Sequence, residues 1–297
     1  MMSILTHRKS FQLPLLVLCI VAIAITFNAC VKENLEPIEL PSNSMEILRL
    51  EIYTNNIETT RNFWGEKIGL EEVAGESSTS KVTYYIGDPA TNCKLTFRYF
   101  YRPEPFVNHF AISIPPNQIE SALTWLKSKD IKIIKNETTV ADIYANPVFN
   151  SKSIFFDDAV GNIVELIAFQ NLGDAFSGKP IATPVDGPFS KDQLFNISQV
   201  SLPGINVRAA YDILHNVFEY DSLSRSTASY KPTGGPEGLV LLRLKSRPWL
   251  PTDNNYPPDV PSITTLTIRR PIGFTKDTTI IMPQEIYFSN FTLKTVQ

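Results

Sequence analysis

Histidine is the scarcest of the side chains in this sequence that could carry out metal or acid–base chemistry. The chain of 297 residues has three histidines, His7, His109 and His215. Imidazole is a common metal ligand and titrates close to neutral pH, so it serves in many metal centres and proton transfers. A site that needs two or three histidines therefore has very few candidates here.

Motifs of other common chemistries are absent from the sequence. It contains no glycine-rich phosphate-binding loop and no serine in a nucleophile elbow. The glycines of the segment 232–238 (PTGGPEG) stand among prolines, which favours a hairpin loop over an anion-binding cradle. Cys93 lies in a strand-like run, and we expect it to be a buried, unreactive thiol.

Composition predicts a folded chain with room for two domains. Hydrophobic residues make up 43% and charged residues 19% of the sequence, which excludes intrinsic disorder. The length allows two compact domains. The net charge of −3 gives no basic excess to neutralise phosphates, so we expect no nucleic-acid partner.

The elements that would position a site first form a strand, a helix and two more strands. Residues 45–54 (MEILRLEIYT) alternate as a strand does. Asn56 can cap a helix that follows, and Gly69 would end it. Extended runs are expected at 81–86 and 94–101.

The same order of elements then repeats with a period near 60 residues. We predict a strand at 109–114, a helix at 118–128, and extended runs at 131–134, 153–156 and 163–169. Each repeat is a β-α-β-β-β module. The period is too long for a solenoid repeat.

Two segments of these modules resemble motifs of the vicinal oxygen chelate superfamily. They are NFWGEKIGLEEV (62–73) and FFDDAVGNIVELIAF (155–169), in which Ala159 replaces the usual proline. The superfamily includes glyoxalases, extradiol dioxygenases, fosfomycin-resistance transferases and bleomycin-binding proteins. The resemblance implies that two βαβββ modules pair into one cup-shaped sheet with a central site, over residues 45–170.

The remainder of the chain reads as a second, divergent copy of this domain. After a linker at 171–190, the copy spans 191–297 and includes an amphipathic helix at 206–217. Runs at 263–269 and 285–293 would open and close its last module. The predicted fold is thus α+β, with tandem βαβββ modules paired into cup-shaped, glyoxalase-like mixed sheets. Because one chain contains all the modules needed to form its cup-shaped sheets, we expect a monomer.

The resemblance also implies where ligands would lie, on the first and last strands of each module. His109 and Glu165 stand at two such positions, where an imidazole and a carboxylate would suit Zn, Ni, Mn or Fe. Arg49 stands at the first module's histidine position, and arginine does not ligate metals. Gln199 stands at that position in the second copy. Thr96 or Arg98 lies near the remaining ligand position of the first module.

Three arrangements of these residues are open. His109 and Glu165 could form a metal or general-base pair, in which Glu165 abstracts a proton. Alternatively, Arg49 pairs with Glu165 across the cup and His109 is a hydrogen-bonded inner residue. Third, Arg49, Arg98 and His109 could bind an anionic ligand. We favour a small-molecule-binding protein without a metal over a metal-dependent, glyoxalase- or dioxygenase-like enzyme.

The N-terminal segment resembles a bacterial lipoprotein signal. A basic stretch at 7–9 precedes an apolar run at 13–27, too short for a typical membrane span. Cys30 follows at the point where a lipidated cysteine would begin the mature chain. We therefore expect a signal peptide at 1–29, a lipidated tether at 30–44, and a cell-envelope location at the outer membrane or cell surface.

Overall fold

A computed structural model describes residues 45–91, 93–103, 106–135, 140–204, 206–223, 226–247, 264–269, 277–283 and 290–296. All of these belong to one compact unit, Ile38–Gln297. The predicted signal peptide, Cys30 and the tether lie outside the described residues. Within those residues, no helix combines the length and apolarity needed to cross a membrane.

The described residues form mixed β-sheets with few helices, as predicted. In chain order the strands are β1 (Ile47–Thr54), β2 (Lys81–Tyr85), β3 (Lys94–Tyr99), β4 (His109–Ser113), β5 (Ile133–Ile134), β6 (Tyr144–Asn146), β7 (Ser151–Asp157), β8 (Ile163–Phe169), β9 (Ile197–Gly204), β10 (Tyr230–Gly235), β11 (Gly238–Leu244), β12 (Thr264–Arg269), β13 (Thr279–Pro283) and β14 (Asn290–Val296). The α-helices are α1 (Ile57–Arg61), which continues as a π-helix over Asn62–Ile68, α2 (Ile119–Ser128) and α3 (Val207–Phe218). Short 3₁₀ helices lie at Pro89–Thr91, Asp174–Phe176, Pro180–Ala182 and Lys191–Gln193.

Local sequence signals account for the ends of these helices. Asn56 accepts a hydrogen bond from the Thr59 backbone N–H at the start of α1. Asn206 accepts one from the Ala209 N–H at the start of α3. Gly69 ends the π-helix with a left-handed φ of 90°, a backbone conformation that glycine adopts without strain. The predicted cap at Asn56 and stop at Gly69 are therefore confirmed.

The module order within the sheets differs from the expected one. The first sheet runs β13-β14-β12-β1-β3-β2, and the second runs β10-β11-β9-β4-β8-β7-β5 with β6 beside β7. The first module thus pairs with the fourth through β1 and β12, and the second pairs with the third through β4 and β9. Each module places its first strand beside its last, so the first strand of any module offers a similar edge to a partner. Strand alternation alone could not select the partner.

Two other expectations change in the second half of the chain. The hairpin predicted at 232–238 is present, but residues 232–235 belong to β10 and only Pro236 and Glu237 form the turn. Pro232 is tolerated because β10 is an edge strand. Strand β13 was not predicted. Of the run predicted at 285–293, the part before Asn290 lies outside the described residues.

The segment predicted as a linker, 171–190, packs against the second module. The Phe189 N–H donates to Ser121 Oγ at 2.8 Å, and Gln118 Nε2 donates to the Val185 carbonyl at 2.6 Å. Phe176 and Ile181 are buried. This segment therefore lies on the surface of α2 and its neighbours.

One hydrophobic core includes residues from both sheets and their helices. Leu50 and Phe97 of the first sheet belong to the same buried cluster as Phe110 of the second sheet and Leu214 of α3. Alternation along each strand sends these residues to one face and leaves the other face free for a site. The core therefore determines which side chains can form the two candidate faces.

Trp64 connects the two family-like motifs inside this core. Its ring centroid lies 5.8 Å from that of Phe97 and 5.9 Å from that of Phe110. Its Nε1–H donates to Asp158 Oδ2 at 3.3 Å. Asp158 also accepts hydrogen bonds from the Val160 N–H and from the backbone and side-chain N–H groups of Asn162. Burial raises the pKa of Asp158, and these donors counteract the rise.

Replacing Asp158 by asparagine should destabilise the fold by about 2 kcal/mol, because the new amide would point N–H groups at buried donors. The free energy of unfolding from urea titration measures this effect. Asp174→Asn is a matched control at an exposed position of a short 3₁₀ helix, and we expect it to change stability by less than about 0.5 kcal/mol. Equal effects of both substitutions would contradict the role given to Asp158.

Candidate functional site

The structure places the predicted site residues on two different sheets. Arg49 and Arg98 lie on β1 and β3 of the first sheet, and His109 and Glu165 lie on β4 and β8 of the second. The expected Arg49–Glu165 ion pair does not form, because β1 pairs with β12 rather than with a strand of the second module. An anion site that uses Arg49, Arg98 and His109 together is likewise not assembled.

His109 and Glu165 contact each other on the second sheet. His109 Nε2 lies 3.1 Å from Glu165 Oε2, and the Ser153 hydroxyl donates to Glu165 Oε1 at 2.5 Å. All three side chains are buried. Sequence reasoning missed Ser153, although its place on β7 beside β8 and its alternation with Phe155 could have indicated it.

Apolar side chains cover the face that carries this pair. A second hydrophobic cluster includes Ala111 and Ile167 from the centre of the sheet, with Phe149 and Leu223 from connecting segments. Burial, together with the nearby Glu165 charge, raises the pKa of Tyr230 at the same face. The His109–Glu165 pair is thus enclosed rather than open to a substrate.

The donor set around this pair does not fit a tightly held metal ion. Two neighbouring ligands about 2.1 Å from one ion stand about 3 Å apart, so the His109–Glu165 spacing alone is compatible with a metal. Catalytic metal sites use about three protein ligands, however. The described residues contain no group of three or more His, Cys, Asp or Glu that could hold an ion. The third module contributes Gln199, which lies opposite Ala111 on β9.

Arg49 and Lys94 form a pair of cations on the first sheet, hereafter the cation pair. They lie side by side on β1 and β3. Arg49 Nη2 donates to Glu76 Oε2 at 2.7 Å, and Lys94 Nζ donates to Glu76 Oε1 at 2.6 Å. Arg49 Nη1 also lies 3.4 Å from Thr96 Oγ1. One carboxylate therefore bridges both cations and leaves one of their two positive charges unbalanced.

Threonine hydroxyls lie beside the cation pair on the same face. Thr96 and Thr83 are buried and hydrogen-bonded to each other at 3.1 Å. On the opposite side, β12 places Thr267 next to Arg49. This face is more open than the face of the second sheet, since the Arg49 side chain retains 25% of its exposure.

Arg98 lies further along β3 on the same face and pairs with Glu51. Its Nε donates to Glu51 Oε1 at 2.6 Å, and this bond raises the pKa of Arg98. Its side chain is 46% exposed. Sequence reasoning left open whether Thr96 or Arg98 faced inward. Both share this face, because alternation places every second residue of β3 there.

Comparison with known proteins supports the fold. No family model and no curated protein matches the chain. Among solved structures, a putative dioxygenase from Bacillus subtilis aligns over 86% of each chain at 12% identity, with a TM-score of 0.51. Glyoxalase I from Zea mays aligns over 85% of this chain and 93% of its own, at 14% identity and a TM-score of 0.51.

At such identities the similarity establishes the fold alone. The chain has the fold of these glyoxalase- and dioxygenase-type proteins, with tandem modules in mixed sheets. This is the fold that the resemblance to the vicinal oxygen chelate superfamily implied, so that prediction is confirmed at the level of the fold.

The charge state of Glu76 should link stability to pH. Burial acts to raise its pKa, but the hydrogen bonds from Lys94 and Arg49 and their charges outweigh that, so the pKa lies below its ordinary value. A carboxyl group with a lowered folded-state pKa stabilises the folded state at pH values above its unfolded-state pKa of about 4.3. This stabilisation is lost as the pH falls through the folded-state pKa.

The stability difference between the unsubstituted chain and Glu76→Gln should therefore be constant from about pH 6 to 8 and shrink below about pH 4. Denaturant unfolding across this range measures it. In a chain that already carries Arg49→Ala and Lys94→Ala, only the burial that raises the pKa of Glu76 remains, so the shrinkage of the difference below about pH 4 should disappear. Its persistence there would contradict the cation pair as the cause.

Proposed function

We propose that this chain is a lipid-anchored protein that binds a small anionic molecule on the open face of the first sheet, without a resident metal ion. The observation that carries the proposal is the cation pair beside the buried threonine hydroxyls. A guanidinium and an ammonium group 2.7 and 2.6 Å from one carboxylate already form a site for an oxyanion.

The position of the cation pair in the fold supports this proposal. Arg49 lies on β1, at the seam where the first and fourth modules meet. By resemblance, this is the strand position that carries a metal-ligating histidine in metal-using relatives of the superfamily. A cationic side chain there repels a metal ion and attracts an anion.

Arg98 adds a second guanidinium group to the same face, where it is paired with Glu51. It lies on the same side of β3 as Lys94 and Thr96, and its exposed guanidinium can contact a ligand larger than one oxyanion. A ligand that spans from Arg49 to Arg98 would cross Thr96 and could accept a hydrogen bond from its hydroxyl group. We propose Arg49 and Arg98 as ligand-binding residues and His109 as a structural partner of Glu165.

The alternative is a metal-dependent, glyoxalase- or dioxygenase-like enzyme that uses His109 and Glu165. The names of the solved structures, glyoxalase I and a putative dioxygenase, describe those proteins. In this chain the enclosed His109–Glu165 pair lacks a third strong ligand among the described residues. We therefore propose the metal-dependent enzyme only as the second candidate function.

Replacing Arg49 by alanine should weaken the binding of small anions on the order of tenfold or more, because one of two direct charge contacts is lost. Isothermal titration calorimetry with phosphate and a panel of small carboxylates measures the affinity. Arg208→Ala is a matched control, since Arg208 lies exposed on α3 and pairs with Asp212 of the same helix. Equal affinities of both variants would contradict the site.

A metal measurement separates the two readings of the protein. Stoichiometric divalent metal retained after dialysis, and lost in His109→Ala and Glu165→Gln, would favour the enzyme. The same result would also oppose a metal-free binding site as the main function.

The proposed anchor rests on the N-terminal signal and Cys30, which lie outside the described residues. When the chain is expressed in bacteria with labelled palmitate, it should incorporate the label. Cys30→Ser should abolish the labelling, because the lipid is attached through the cysteine sulfur. Cys93→Ser is the matched control and should retain the label. Label that persists in Cys30→Ser would show that the anchor is misassigned.

A further inference from the structure

The carboxylate of Glu76 occupies the position that an anionic ligand would need. Each of its two oxygens accepts a hydrogen bond from a different cation, Arg49 Nη2 at 2.7 Å and Lys94 Nζ at 2.6 Å. No strand contributes an acid between these two cations. Glu76 instead comes from the connection between the π-helix and β2.

We propose that Glu76 is a displaceable internal occupant of the anion site, and that the ligand is recognised through a terminal carboxylate or phosphate group that takes its place between Arg49 and Lys94. This inference rests on the proposed function. It adds the chemical group that is recognised and the residue that competes with it.

The segment that carries Glu76 is anchored without the help of its side chain. The Val73 N–H donates to the Thr83 carbonyl at 2.8 Å, and the Ser78 N–H donates to the Lys81 carbonyl at 2.7 Å. The Ser77 hydroxyl accepts from the Thr83 N–H at 3.2 Å. These bonds attach the segment to β2 on both sides of Glu76, so its carboxylate can leave the cations while the segment stays in place.

The Glu76 side chain follows an open turn and is in contact with solvent. Gly75 has a φ of +74°, and a Cβ placed on it would meet no atom within 4 Å. The Glu76 side chain is 28% exposed. Ion pairs with this much solvent contact contribute little each, so a ligand oxyanion can compete with them.

Hydroxyl groups next to the cation pair favour a group with more than one oxygen. Thr96 Oγ1 lies within reach of Arg49 and is bonded to Thr83 Oγ1. A carboxylate can reproduce both contacts of Glu76, and a phosphate has further oxygens that can accept from Thr96. The two chemistries therefore share the cation pair and differ in their use of the threonines.

An intramolecular competitor lowers the apparent affinity for an external anion, because it is present at a high effective concentration. Removing its charge while keeping its shape should therefore strengthen binding. We expect Glu76→Gln to bind anions with an affinity on the order of tenfold higher than that of the unsubstituted chain. This gain corresponds to the free energy that two partly exposed ion pairs contribute.

Isothermal titration calorimetry of the full chain with inorganic phosphate and with acetate tests this inference. Glu76→Gln should bind at least one of the probes more tightly, and adding Lys94→Ala to it should remove the gain.

Glu72→Gln is the matched control, because Glu72 lies on the same segment and loses the same charge but pairs with Arg61. It should bind as the unsubstituted chain does. If phosphate binds more tightly than acetate, the recognised group is a phosphate. If acetate binds more tightly, the recognised group is a carboxylate.

The outcomes separate the inference from the proposed function. If Arg49→Ala loses binding but Glu76→Gln binds no more tightly than the unsubstituted chain, the inference is wrong and the anion site stands. If neither probe binds to the unsubstituted chain or to Glu76→Gln, both are wrong. Glu76→Asp, too short to bridge both cations, should show an intermediate gain and replaces Glu76→Gln if that variant does not fold.

Discussion

The hydrogen bond between Trp64 and Asp158 is the contact on which the arrangement of the two sheets depends. A buried carboxylate is costly unless several donors surround it, and here the indole N–H joins the donors of Val160 and Asn162. The same indole ring packs near Phe97 of the first sheet and Phe110 of the second. A shift of the Asp158 turn would therefore misplace an aromatic ring that touches both sheets.

The pairing of modules across these sheets determines the chemistry that each face can carry. Because the second module pairs with the third, Gln199 lies across Ala111 from Glu165, and His109 and Glu165 form an enclosed, mutually bonded pair among apolar neighbours. Because the first pairs with the fourth, Arg49 lies next to Thr267, while its own module supplies Thr96 and the carboxylate of Glu76. One fold thus presents a closed polar pair on one sheet and a solvent-accessible charged face on the other.

The sequence predicted local structure well and long-range partners poorly. Strand alternation, the Asn56 cap and Gly69 identified the modules, since these signals act within a few residues. The choice of β12 as the partner of β1 depends on energy summed over the whole core, which no local pattern encodes. Glu76 was missed for a related reason: its contacts with Arg49 and Lys94 depend on how a connecting segment folds back over the sheet.

The position of β1 next to β12 has a consequence for how the chain folds. The partners Leu50 and Leu266 are separated by most of the described sequence, so this sheet has a high contact order and is slow to assemble. Until the last module has emerged, one edge of β1 lacks its native partner and exposes unpaired backbone groups. During synthesis, the second sheet can form from consecutive modules, whereas the face containing Arg49 is completed only when β12 is available.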